Sequence, residues 1–239
     1  YYQLAASQND LKSQKNLGSI YIDGKFIPRE VNKSLYYFGL AADQDDTDSQ
    51  FNIGLIYYTN KYIQRDINKA IHFFTLAANK NMMQAQFNLG LIYTSSSLGH
   101  RDLDKAIHYY SLAAKKNIVE AKFNLGMIYL LDKGFHHDIN KAIYYLSLAS
   151  DSNYPVAQYY LGIIYLSKKD GVFDINKSVR YLSLAAKNNV AAAQYLLGIM
   201  YYFDSYFPHD VNKAIHYLSL AANQNHSDAQ LMLGHIYSA

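Results

Sequence analysis

One spacing governs the whole chain. Seven glycines, Gly18, Gly54, Gly90, Gly126, Gly162, Gly198 and Gly234, stand 36 residues apart, and a tyrosine follows each three positions later, from Tyr21 to Tyr237. Six lysines, Lys33, Lys69, Lys105, Lys141, Lys177 and Lys213, keep the same step without a single insertion or deletion. A period of this length marks a repeat architecture, in which each unit is one supersecondary element that buries its apolar face only against its neighbours.

Each unit predicts two helices. From Asp102, the stretch DLDKAIHYYSLAAKKN places Ala106, Tyr109, Tyr110, Ala113 and Ala114 on one helical face. In the following IVEAKFNLGMIYLL, Ala121, Leu125, Ile128 and Tyr129 do the same. Asp66, Asp102, Asp138, Asp174 and Asp210, with Glu30 in the remaining copy, stand where a side-chain oxygen can accept from the open N–H groups of the first helix. Asn81, Asn117, Asn153, Asn189 and Asn225 sit where that helix must stop, and asparagine tolerates the left-handed conformation that closes one. Pro155 falls in the first turn of a second helix, while Pro28 and Pro208 share one register in the loop before the next cap.

A glycine inside a helix costs roughly 1 kcal/mol relative to alanine, so its return in every copy calls for close approach by a crossing helix of the same or next unit. Paired alanines such as Ala77–Ala78 offer small surfaces for the crossing, and Phe51, Phe87, Phe123, Tyr159 and Tyr195 fill the space between. Gln50, Gln86, Gln158, Gln194 and Gln230, one turn before the glycine, are expected to hydrogen-bond between units. The predicted fold is all-α, an α-solenoid of about six and a half helix-turn-helix units. In this frame a partial unit, 1–29, precedes repeats 30–65, 66–101, 102–137, 138–173, 174–209 and 210–239, read as one domain.

The run D-x-x-K-A, then Y/F and L-A-A, then A-Q-x-x-L-G-x-I-Y resembles the Sel1-like repeat, a relative of the tetratricopeptide repeat. AQFNLGLIY, from Ala85 to Tyr93, and AQYLLGIMY, from Ala193 to Tyr201, match the pattern in full. Two habits differ: asparagine rather than glycine closes the first helix, and only Gly24 keeps the glycine of the later loop, replaced elsewhere by Asn60, Ser96, Asp132, Lys168 and Asp204. The resemblance implies a right-handed superhelix and a scaffold or adaptor that binds partner proteins along a curved surface, with no catalysis implied.

Composition narrows the alternatives. Of 239 residues, 50% are hydrophobic and 17% charged, enough apolar material for a core and too much for a disordered tail. The absence of cysteine removes disulfides, thiol nucleophiles and thiolate metal sites. No apolar stretch reaches the ~20 residues of a membrane span, since the longest, Val190 to Phe203, is broken by Gln194 and Gly198. Tyr1 to Asp10 carry no basic start with an apolar run behind it, which sets the expectation of a cytoplasmic protein without membrane association. There is no initiating methionine, so a piece of a longer chain is expected.

Positions that stay polar or vary between copies are candidate surface. One row on the first helices, Tyr36, His72, His108, Tyr144, Arg180 and His216, places a hydrogen-bonding or stacking residue in each unit and is the candidate partner-binding row if the first helices line the concave side. Its alternative is a solvated helix face. A second row before the caps, Arg29, Arg65, Arg101, His137, Phe173 and His209, is a candidate basic edge for acidic segments, set against ordinary exposed pairing with the capping acids. His100, His136 and His137 do not complete a metal site, because zinc needs three or four ligands converging within about 2 Å and no H-E-x-x-H exists. No nucleophile elbow or phosphate-cradling loop is present, and no cofactor is expected.

The leading expectation is therefore a non-catalytic scaffold for a protein or peptide. The alternatives are an RNA-binding helical repeat, against which a net charge of +3 is a weak field, and the recognition part of a larger enzyme. Polar Ser19 and His235, at the register of Leu55, Leu91, Met127, Ile163 and Ile199, are candidate marks of tapering ends, set against simple drift in two copies, and an uncapped apolar end would favour self-association or further repeats outside this segment.

Overall fold

The glycine period becomes geometry in a computed structural model that describes residues 1–25, 27–59, 61, 63–132, 134, 136–168, 171–203 and 209–238. Among them there are fourteen α-helices and no strand. A short opening helix α1 (Tyr2–Ser7) is followed by second and first helices in alternation: α2 (Leu11–Asp23), α3 (Val31–Asp43), α4 (Thr47–Thr59), α5 (Ile67–Asn79), α6 (Met83–Thr94) and α7 (Leu103–Lys115). The same alternation continues through α8 (Val119–Leu131), α9 (Ile139–Asp151), α10 (Pro155–Leu166), α11 (Ile175–Lys187), α12 (Ala191–Phe203), α13 (Val211–Ala222) and α14 (Ser227–Ser238). The chain divides into two compact units, residues 1–121 and 122–239, and each is built as an α-solenoid of stacked hairpins.

The helical glycines are seats for the first helix that follows. In the first unit a Cβ on Gly18, Gly54 or Gly90 would stand 2.6, 2.6 and 2.5 Å from the rings of Phe38, Phe74 and Tyr110, well inside contact distance. In the second unit Gly126, Gly162 and Gly198 seat Leu146, Leu182 and Leu218, each at 2.6 Å. All six seated side chains are buried, at 2% exposure or less. The close approach thus comes from the first helix that follows, with aromatic seats in one unit and leucine seats in the other. Where serine replaces alanine on the incoming helix, Ser34 and Ser178 donate to the carbonyls of Gly18 and Gly162 at 2.7 and 2.8 Å. Phe51 and Phe87 lean on Phe74 and Tyr110 of the next first helix, at 5.6 and 5.8 Å between ring centres, as the filling residues should.

Helix ends follow local chemistry. Asp66, Asp102, Asp138, Asp174 and Asp210 each accept from the backbone N–H three residues on, at 2.9–3.0 Å. Glu30 makes no such bond and pairs with Lys33 Nζ at 2.8 Å instead, a correction to its reading as a cap: its extra methylene carries the carboxylate past the N–H groups. The asparagines that close the first helices all adopt the left-handed conformation, φ 57° to 63°, joined by Asn9 and Asp45 at the same register. Pro155 opens α10, and Gly24 closes α2 with φ 67°. Asn60, Asp204 and Pro208 lie outside the described residues.

The buried glutamines form inter-repeat links only where the partner position permits. Gln14, Gln158 and Gln194 accept from Gln44, Asn188 and Gln224, each thirty residues on, at 2.7, 3.1 and 2.7 Å. Lys80 and Lys116 occupy that register for Gln50 and Gln86, whose Oε1 atoms have no hydrogen-bond partner. Lys80 turns away to Asp45, so for these two residues the expected bond between units is absent. Gln86 and Gln230 instead donate to Ala78 and Ala222 carbonyls at 3.3 and 3.2 Å.

Gly90→Ala lowers stability by about 1–3 kcal/mol in chemical denaturation, although alanine is the better helix former, because the Tyr110 ring cannot retreat. Gly234→Ala, with nothing within 4 Å of the added carbon, raises it by up to about 1 kcal/mol. Lys116→Gln supplies a donor to the stranded Gln86 Oε1 and raises stability by about 0.5–1.5 kcal/mol, measured in the same way.

Candidate functional site

The exposed row on the first helices is built from a four-part stack that recurs with the period. At its base is the tyrosine three residues after the seat glycine. Its carbonyl accepts from the backbone N–H of the next cap residue at 2.8–3.1 Å, as in Asp102 N–H to Tyr93 and Asp174 N–H to Tyr165, which fixes the loop between them. Its ring lies nearly parallel to an aromatic ring sixteen residues on: Tyr21–Tyr37, Tyr57–Phe73 and Tyr93–Tyr109 in the first unit, Tyr129–Tyr145, Tyr165–Tyr181 and Tyr201–Tyr217 in the second. Centroids are 5.7–6.5 Å apart and planes within 11°.

The repeated lysine covers the tyrosine ring. Lys33, Lys69, Lys105, Lys141, Lys177 and Lys213 hold Nζ 4.9–5.3 Å from its centre. The same ammonium lies 2.8–3.6 Å from the cap carboxylate three residues earlier. This double engagement accounts for the lysine in every copy. Hydrogen bonding from the Lys105 N–H, then from its side chain, holds the Asp102 carboxyl below the usual carboxylate range, and the Lys141 and Lys213 N–H groups do so for Asp138 and Asp210. Burial pushes the hydroxyls of Tyr93, Tyr129, Tyr165 and Tyr201 up, against the pull of the nearby lysine.

The row residue is the outermost layer. Tyr36, His72 and His108 in the first unit and Tyr144, Arg180 and His216 in the second are all exposed. Five stand edge-on to the following aromatic, Tyr37, Phe73, Tyr109, Tyr145 or Tyr217, at 5.1–5.3 Å and 67–78°. Arg180 lies over Tyr181 at 5.8 Å. The row residues do not converge on one point; they are presented one per first helix on a supported aromatic platform. That platform was the feature the sequence reading missed, although aromatic residues in every copy at both registers were its signal.

The second row sits against the ends of the second helices. Arg29 donates through its guanidinium to the Ile22 and Asp23 carbonyls at 2.6 and 2.9 Å, the last residues of α2. His209 donates to the Tyr202 carbonyl at 2.7 Å, and Arg65 lies 5.9 Å from the centre of the Tyr58 ring. The His137 backbone donates to Gly134, and Arg101 is exposed at the same register. Positive groups at helix C-termini satisfy open carbonyls and oppose the dipole. His136 approaches Asp132 at 3.2 Å, and among the described residues no group of three or more His, Asp or Glu is placed to hold a metal ion. No described helix is long and apolar enough to cross a membrane.

The hairpin register, the seat glycines and the I-Y tyrosines coincide with a known family. The Sel1 repeat model matches residues 1–10, 11–46, 47–82, 84–118, 119–154, 155–190 and 191–226, a frame that opens each repeat on the second helix. The chain belongs to the Sel1-repeat family. Among solved structures, this Sel1-repeat chain is similar to a Sel1 repeat protein from Oxalobacter formigenes, with 32% identity and a TM-score of 0.73 over 98% of this chain and 68% of the other. It is also similar to c5321, a protective antigen of uropathogenic Escherichia coli with the same fold, at 25% identity and a TM-score of 0.72. That likeness covers 95% of this chain but only 49% of the antigen. No curated protein matches the chain. Sel1-repeat proteins are in general protein-interaction scaffolds.

The stack predicts a separation of roles. His108→Ala changes stability by less than about 0.5 kcal/mol, as exposed substitutions do, whereas Tyr109→Ala, which removes the platform, costs about 1–3 kcal/mol in chemical denaturation. The depressed cap aspartates set a pH dependence. Their contribution is complete above the ordinary aspartate value of about 3.9 and is lost as pH falls through the lower folded value. Melting temperature should therefore fall below about pH 4 in the parent, and less steeply in Asp102→Asn.

Proposed function

We propose that the chain is a non-catalytic scaffold that binds a partner protein or peptide along the exposed face of its first helices. Tyr36, His72 and His108 are the contacts in the first unit, and Tyr144, Arg180 and His216 in the second. The observation that supports this reading is the exposure of all six side chains on a backing aromatic. A ring or guanidinium held in place before binding loses little freedom on contact, and Tyr and Arg are the residue types that most often anchor interfaces. An interaction role agrees with the general role of the family. Arg29 and His209 already serve the ends of second helices, so the row before the caps is assigned a supporting part at most.

The test is capture from native lysate by the immobilised chain, beside a variant carrying Tyr36→Ala, His72→Ala, His108→Ala and Tyr144→Ala, with nuclease-treated controls. A protein retained by the parent and lost by a folded variant is the expected result. Equal retention by both would contradict the assigned face, and capture abolished by nuclease would point to RNA. We place this role in the cytoplasm; recovery of the protein with a membrane or secreted fraction would overturn that placement.

A further inference from the structure

The six row positions differ in charge, and the difference is concentrated in the second unit. Arg180 is the one row residue with a permanent positive charge, and its register neighbours are Tyr144 one repeat before and His216 one repeat after. The cap carboxylates of that face are already engaged: Asp138, Asp174 and Asp210 each accept from a backbone N–H at 2.9–3.0 Å and lie 3.3–3.6 Å from a lysine Nζ. Asp151, the last residue of α9, is exposed seven positions after Tyr144 on the same helix face, as Lys187 is after Arg180. None of these carboxylates forms an ion pair with Arg180 among the described residues.

What the face offers outward is therefore weighted to donors and positive charge. It presents a guanidinium, a phenol hydroxyl and an imidazole, with the exposed amides of Asn140, Asn176 and Asn212 beside them. The guanidinium is also oriented. It lies 5.8 Å from the Tyr181 ring, which is itself stacked on Tyr165 at 5.9 Å with planes 6° apart, and Lys177 covers the far ring at 5.0 Å. A planar fork held over an aromatic keeps its N–H edge for a carboxylate, which it grips through two parallel hydrogen bonds.

We propose that the first-helix face of the second unit binds an acidic peptide segment, with a partner carboxylate on Arg180 and the flanking peptide contacting Tyr144 and His216. This rests on the scaffold reading and names the partner chemistry at one of its repeats. The first unit, whose row is Tyr36, His72 and His108, lacks the fork and does not share this selectivity.

Fluorescence anisotropy tests it on the whole chain with two labelled probes, a peptide of about ten residues alternating Gly and Glu and its Gly-Gln counterpart, at about 20 and 150 mM salt. The acidic probe should bind in preference to the neutral one and weaken at the higher salt. Arg180→Gln should weaken it about five- to tenfold and Arg180→Lys by less, with circular dichroism unchanged. Lys12→Gln, which removes one exposed charge from the first unit, should leave binding within about twofold. Equal binding of both probes, no binding at low salt, or equal losses from Arg180→Gln and Lys12→Gln would overturn the proposal. The scaffold reading fails separately: loss of the lysate partner's dependence on the row, with acidic-probe binding intact, would sink that reading and leave Arg180 standing.

Discussion

The contact on which the structure depends is the seating of one large side chain of a first helix on a glycine of the second helix before it. Gly90 accepts the Tyr110 ring where a Cβ would stand 2.5 Å away, and Gly162 accepts Leu182 at 2.6 Å. A glycine that weakens its own helix is retained because it brings the next helix close, and the dispersion and burial gained by a fully enclosed Tyr or Leu exceed the local cost. Because each second helix meets the next first helix through the same seat, the period admits no insertion. Gly234 shows the converse: with no side chain over it, its added carbon would meet open space.

The seat also sets the platform above it. Three residues beyond the glycine, the tyrosine falls opposite the aromatic that precedes the seated side chain, so Tyr93 faces Tyr109 just as Gly90 faces Tyr110. The lysine that covers the ring and binds the cap ties the helix start to the same stack, as Lys105 does between Tyr93 and Asp102. The outer residue is then free to vary among Tyr, His and Arg without touching the core. A repeat can change what it presents to a partner while keeping what holds it to its neighbours.

Much of this was legible in the sequence, and the limits have physical causes. Period, helix pairs, left-handed asparagines and aspartate caps follow from backbone chemistry within a few residues, so Asn81 and Asp102 could be placed from their neighbours alone. The need for close approach at Gly90 was legible, but not that Tyr110 supplies it. The ring pairs at sixteen residues, Lys105 over Tyr93, and the fate of the glutamines depend on how neighbouring helices cross. Gln158 finds Asn188, yet Gln86 has a lysine, Lys116, at that register and keeps an unpaired oxygen. Glu30 shows a finer limit, since one methylene decides between a cap and an ion pair. The face was legible as a row of exposed positions; its support beneath was not.

The glycine seat couples each second helix to the first helix that follows it, and a double-mutant cycle measures that coupling. Stability is measured for the parent, Gly90→Ala, Tyr110→Ala and the double variant. If the seat is the coupling, alanine at position 90 harms the parent but not the Tyr110→Ala background, giving a coupling of about 1–3 kcal/mol. If the two losses simply add, the ring is not what excludes a side chain from Gly90, and the account of the repeat is wrong.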